Sequence, residues 1–253
     1  MKRFLPIAIG LALLLTGCSA EPDAAHSALA PAQSPTPTET LQPGSSAVQA
    51  ESTTPLLEAL PTEPPEEEQG NILIAYFTWA ENTHVEDPAS IDVDATTSAS
   101  VLLPGNTAKL AGWIQQECGG DLFSIVVEEP YSSDYDECLA RAADEKAGNT
   151  RPTLVNHVED MARYDVVFLG FPNWWYTVPM AVHTFLEEYD FSGKTIIPFV
   201  THGTGGMAST IEDITAGLPD SVTVSDPIGV YRQDVDGAQE AIREWLAGLD
   251  IQN

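Results

Sequence analysis

Residues Asn71-Ile-Leu-Ile-Ala-Tyr-Phe77 form a continuous apolar run of strand length. A half-buried strand would alternate apolar and polar residues. An unbroken run fits a strand covered on both faces, as in a parallel sheet. Three more runs share this character: Asp121 to Val127, Asp165 to Gly170 and Thr195 to Val200. A weaker fifth lies in Ser221 to Tyr231, where Pro227 removes a donor and points to an edge position. Helical patterns sit between them, at Asn106–Glu117, Asp134–Ala147, Met180–Tyr189, Ala208–Ala216 and Gly237–Leu249. Strands alternating with helices imply an α/β fold of three layers, a parallel sheet with helices on both faces. Residues 84–104 fit no element and read as an insertion between the first strand and its helix.

Upstream of residue 71 the composition changes twice. Lys2 and Arg3 precede an apolar run from Phe4 to Leu15, too short to span a bilayer and shaped like a signal peptide over residues 1–17. It ends in Leu15-Thr16-Gly17-Cys18, which resembles the bacterial lipobox and implies lipidation of Cys18. The expected location is therefore the extracytoplasmic face of the cell membrane, held by the lipid anchor alone. Residues 18–70 read as a linker. From Glu21 to Gly70 there are nine Pro, nine Asp or Glu and no Lys or Arg, too little apolar surface to offset ordering entropy. As a flexible coil this stretch would reach roughly 40 Å.

Residues 71–253 are enough for one domain with a sizeable core. They carry 29 acidic residues against eight Lys or Arg. Such a surface disfavours nucleic acid and anionic lipid headgroups and suits a basic protein partner or a small ligand. Cys118 shares a helical stripe with Leu110, Ala111 and Ile114, and Cys138 shares one with Tyr135, Leu139 and Ala142. Both read as packed thiols. Right-handed crossovers put their helices on opposite faces of the sheet, so no disulfide is expected between them.

Ligands of open parallel sheets bind beyond the carboxyl ends of the strands. Three loops leaving such ends have unusual composition. The first is Thr78-Trp79-Ala80-Glu81-Asn82-Thr83, followed after the insertion by Gly105-Asn106-Thr107 at a helix start. Hydroxyls and free amides at a helix N-terminus suit a phosphate, although Asn106 could equally be a plain cap. The second is Pro172-Asn173-Trp174-Trp175-Tyr176, whose adjacent rings cannot all face the core and could meet a planar ligand or a protein. The third is Thr201-His202-Gly203-Thr204-Gly205-Gly206. Its glycines permit close approach to a ligand edge or serve only a tight turn.

Taken with their spacing, these segments resemble the flavodoxin family over about Ile72 to Leu249. The resemblance rests on the Ile-Leu-Ile-Ala-Tyr-Phe-Thr opening, Gly-Asn-Thr, Gly-Gly-Asp-Leu-Phe, Pro-Asn-Trp-Trp and Thr-His-Gly-Thr-Gly-Gly. It implies a five-stranded sheet of order 2-1-3-4-5, non-covalent FMN and an electron-transfer role with a redox protein partner. Thr78 with Asn106 and Thr107 would hold the phosphate. Trp174, Trp175 and Tyr176 would lie along the isoalloxazine, and Thr201 to Gly206 would meet its pyrimidine end. The phosphate loop departs from the family: Ala80 replaces a hydroxyl, Glu81 a glycine, and some 20 residues intervene. Either Asn82-Thr83 or Asn106-Thr107 could close it, and the latter is favoured. Carboxylates around the pocket would disfavour negative charge on the reduced ring.

Within the insertion, Asp94-Ala-Thr-Thr-Ser-Ala-Ser100 resembles the acceptor pattern of extracytoplasmic flavin transferases, with Ser98 in place of the usual Gly. That implies Ser100 as a candidate for covalent flavin. A quinone or nitro-compound reductase fed by NAD(P)H is an alternative, although no Gly-x-Gly-x-x-Gly fingerprint is present. A surface lipoprotein without cofactor is another. A serine hydrolase is disfavoured because no Gly-x-Ser-x-Gly elbow follows a strand. No set of general acid and base residues stands out. His202 is the only histidine in a candidate loop, and His183 lies in a helix pattern as a structural residue.

Overall fold

The computed structural model describes residues 71–98, 100–249 and 251. The signal peptide, Cys18 and the linker read from the sequence lie outside them.

Strand β1, Ile72–Tyr76, is buried along its whole length, as the apolar run requires. It pairs in parallel with β2, Asp121–Ser124, on one side and with β3, Val166–Pro172, on the other. Strand β4, Thr195–His202, pairs in parallel with β3. The fifth position is shared by two short pieces, β5, Thr223–Val224, and β6, Ile228–Tyr231. Strand β5 pairs with Thr195 and Ile196, and β6 with Phe199 to His202, so both lie beside β4. The order is therefore 2-1-3-4-5 with the last strand split around residues 225–227. Pro227 cannot donate to a ladder, and the split falls there, at an edge.

The helices are α1, Val93–Ser98; α2, Asn106–Cys118; α3, Tyr135–Gly148; α4, Met180–Glu188; α5, Thr210–Ala216; and α6, Gln239–Ala247. Leu73, Ala75 and Phe77 face one apolar layer with residues of α3, α4 and α5, among them Cys138, Phe185 and Ile214. Ile72, Ile74 and Tyr76 face the other, with Leu110 and Ile114 of α2 and Ile242 of α6. The alternation of β1 side chains between two covered faces is why its sequence shows no polar alternation. Cys118 packs in the second layer and Cys138 in the first, and both are free thiols.

The insertion departs from its expectation as an element-free loop. It contains a 3-10 turn at Pro88–Ser90 and helix α1, and it folds back so that Ala95 and Val101 are fully buried beside Trp79. Asp92 starts α1 by accepting from the Ala95 amide at 2.7 Å. The expected strand 121–127 ends at Ser124. Beyond it, the Ile125 amide still donates to Tyr76 O, but Val127 is drawn to the Asn82 side chain and leaves the ladder.

Candidate functional site: a cleft at the carboxyl edge of the sheet

A cleft of about 350 Å3 opens at the carboxyl ends of β1, β3 and β4. Its size lies within the range of small-molecule sites. Four groups of residues build it.

The floor at one end is the N-terminus of α2. Gly105 precedes that helix at φ 80° and ψ 157°, a region open essentially to glycine alone. A Cβ there would lie 2.2 Å from Thr78 Oγ1, so the glycine lets the helix start sit directly against the β1 loop. The Asn106 amide donates to Ser100 Oγ at 2.9 Å, and the Asn106 side chain contacts Arg232 O at 3.5 Å. Asn106 is thus the first helical residue and not its cap; the cap comes from Ser100, six residues upstream. Buried Thr107 shares a hydrogen bond of 3.1 Å with Thr201 Oγ1, tying α2 to the end of β4. Thr78, Ser100, Asn106 and Thr107 all line the cleft.

Asn82 and Thr83, the other phosphate candidates, do not line it. The Asn82 amide donates to Thr78 O and Ile125 O, and its oxygen accepts from the Val127 amide. Thr83 Oγ1 donates to Tyr131 O. Both side chains fasten the 125–131 segment to the loop after β1. Glu81 also turns away: it accepts from the Tyr76 and Ser124 hydroxyls at the ends of β1 and β2. Its charge is spent there. Burial, with Glu81 beside it, pushes the Tyr76 phenol up to about 12. Trp79 is buried, donates Nε1–H to Ser132 O and contributes its edge to the wall.

The aromatic loop divides as adjacent rings must. Trp174 is half-buried and packs edge-on to Phe77 and Tyr131 with centroids 5.4 and 5.2 Å away, while still lining the cleft. Trp174 and Thr177 exchange both backbone hydrogen bonds, at 3.0 Å each. The two residues between them, Trp175 and Tyr176, take φ values of 52° and 66°. A tight two-residue loop of this kind ordinarily carries Asn-Gly. Bulky side chains there are outliers costing of order 1–3 kcal/mol each. The strain holds Trp175 and Tyr176 outward, 42% and 65% exposed, at the cleft mouth. The backbone is braced by Lys146 Nζ donating to Trp175 O, and the indole by its N–H to Leu139 O.

The glycine-rich loop after β4 faces that turn. A Cβ on Gly205 would lie 3.0 Å from the Tyr176 ring. Asn173 donates to Gly206 O, while its own Oδ1 is buried with no hydrogen-bond partner. Buried acceptors are normally satisfied, so a donor belongs at this point of the wall. His202 Nδ1 lies 2.8 Å from Gly203 O. Gly105 and Gly206 stand behind the lining, while Thr201, His202, Gly203, Thr204 and Gly205 form it together with Pro172 and Asn173.

Two contributors escape sequence reasoning. The stripe Tyr135, Cys138, Leu139 and Ala142 of α3 was expected to be core and instead also forms the outer wall. Arg232, at the end of β6, reaches the rim with its guanidinium against Gly203. Among the described residues that line the cleft there is no carboxylate, and Arg232 carries the one permanent charge. The lining itself therefore supplies none of the carboxylates expected around the pocket.

The flavodoxin family profile matches residues 95–247. The chain belongs to the flavodoxin family. It is similar in fold to a Bacteroides eggerthii protein described as a flavoprotein, at 27% identity and a TM-score of 0.54, covering 72% of this chain and 98% of that one. It is likewise similar to a Bacteroides uniformis protein described in the same way, at 24% identity and a TM-score of 0.54, covering 71% and 99%. No curated protein matches it. Against the family pattern, the insertion at residues 84–104 is what separates Thr78 from Asn106, and the fold returns the two to one place.

Proposed function

We propose that this flavodoxin holds one FMN in the cleft and passes electrons to a protein partner, from a position outside the cytoplasm and tethered by lipid at Cys18. The observation that carries the reading is the pair Trp175 and Tyr176, held at positive φ at the cleft mouth opposite the glycine loop. Strain at bulky residues persists where a function needs their placement, and two outward rings beside an amide-rich loop suit a flat heterocycle.

The residues present fit FMN. Thr78, Ser100, Thr107 and the first amides of α2 offer hydroxyls and N–H groups at a positive helix end, suited to the phosphate. Asn173 Oδ1 is positioned to accept from a ring N–H that would satisfy it. Trp175 and Tyr176 would lie along the ring, and the α3 stripe would shield it from water. When bound, FMN supplies the redox chemistry, while the protein sets its orientation and potential. Arg232 contributes positive charge at the glycine-loop end, favouring negative charge on the ligand there. The acidic outer surface suits a basic redox partner.

A visible spectrum of the purified full chain, with FMN titration of any apoprotein, tests this. Flavin absorbance and stoichiometric binding are expected; a colourless protein that cannot be reconstituted overturns the reading. Steady oxidation of NADH by the holoprotein, stimulated by a quinone, would instead mark a reductase.

A further inference from the structure

We propose that Ser100 is a site of covalent flavin attachment, its hydroxyl esterified by the phosphate of FMN. The proposal rests on the FMN reading above and deepens it. Three observations carry it. First, Ser100 belongs to an insertion, yet it lines the cleft where the anionic tail of the ligand would sit. Its Oγ is 2.9 Å from the Asn106 amide, the first of α2, so a phosphorus bonded to that oxygen would lie at the helix N-terminus without any rearrangement of the helix. Second, Ser100 holds φ at 49°, a conformation that non-glycine residues seldom adopt. It thereby returns the chain from α1 into the cleft instead of letting the insertion run past it. Third, the seven residues ending at Ser100, Asp94-Ala-Thr-Thr-Ser-Ala-Ser, resemble at the sequence level the acceptor pattern of flavin transferases, with Ser98 in place of its usual Gly. The pattern is linear in sequence, whereas the cleft is assembled from the ends of β1, β3, β4 and α2.

The insertion then has a chemical purpose. A cofactor site outside the cytoplasm loses dissociated FMN to the surroundings, and a phosphoester removes dissociation altogether. The donor class is a flavin dinucleotide. The Ser100 Oγ–P bond forms at the FMN phosphorus, the pyrophosphate P–O bond to the adenylate breaks, AMP leaves, and the hydroxyl proton passes to a base of the separate transferase. No electrons change hands.

The test is expression of the full chain with its own export signal in a bacterium carrying an extracytoplasmic flavin transferase. The native spectrum is recorded, and the protein is then denatured and freed of small molecules. Attachment predicts that flavin fluorescence stays with the denatured chain and that the intact mass rises by FMN less one water. The added group should map to the fragment beginning at Asp94. Ser100→Ala should lose the adduct. Asp94→Ala, whose exposed residue lies outside the cleft, should lose the adduct while still binding FMN non-covalently. A yellow native protein whose denatured chain carries no flavin overturns the proposal and leaves the FMN reading intact. An adduct that persists in Ser100→Ala also overturns it. A colourless chain that cannot bind FMN overturns both.

Discussion

Replacing Gly105 with Ala perturbs the point on which the phosphate end of the cleft depends. The backbone at φ 80° and ψ 157° lies where an L-residue pays of order 1–3 kcal/mol. The new Cβ would also stand 2.2 Å from Thr78 Oγ1 and 3.0 Å from the Ala80 Cβ, so Thr78 must leave its rotamer, at about 0.5–1.5 kcal/mol. The sum, about 1.5–4.5 kcal/mol, is a large part of a typical domain stability but does not exceed it. The variant should fold, with its urea midpoint lowered by that energy divided by an unchanged m. Thr78 moves off the ligand, and a hydrogen bond to a charged group is worth about 1.5–3 kcal/mol, so FMN affinity should fall about 10- to 100-fold. Paired urea titrations and fluorescence-quenching titrations of apoprotein read both numbers. A Gly105→Ala protein with wild-type midpoint and wild-type affinity would refute the argument that the helix start and the β1 loop are fitted to each other.

Three further outcomes are expected. Arg232→Gln removes the permanent positive charge of the cleft and should lower the FMN midpoint potential, measured by dye-equilibrated reduction, while leaving the fold unchanged; an unaltered or raised potential contradicts the role given to it. Burial pushes the Cys138 thiol up to about 12, so at pH 8 it should react with a thiol reagent only after denaturation, and rapid labelling of native Cys138 would show that α3 does not close the wall. Burial, helped by nearby Arg151, lowers His183 below its ordinary 6.5. The unfolded chain then binds more protons than the native one between the depressed value and 6.5. Stability should therefore decline as pH falls through that window, and His183→Gln should flatten the slope in urea midpoints taken at stepped pH.

Much of the fold was legible because each central strand is covered on both faces and so reads as an unbroken apolar run. The split fifth strand was foreshadowed by Pro227. The phosphate loop was harder. Asn82-Thr83 and Asn106-Thr107 are the same dipeptide, and only partners more than 40 residues away, Ile125 and Val127, reveal that Asn82 is a structural clasp. Two other features had no local signal at all. An apolar stripe on α3 looks the same whether it meets a core or a cavity. Arg232 reaches the cleft because β6 ends beside β4, a fact of topology that no short window of sequence carries.

The divided edge of the sheet has a consequence for life at high local density. Copies of a domain at high concentration can meet edge to edge, and a long straight edge strand would let each template the next. Here β5 offers two residues and β6 four, interrupted by Ser225-Asp226-Pro227, whose proline has no amide to lend and whose aspartate repels its counterpart on an identical chain. The same break that makes the last strand hard to see in the sequence leaves no long straight strand at this edge for an identical chain to pair with.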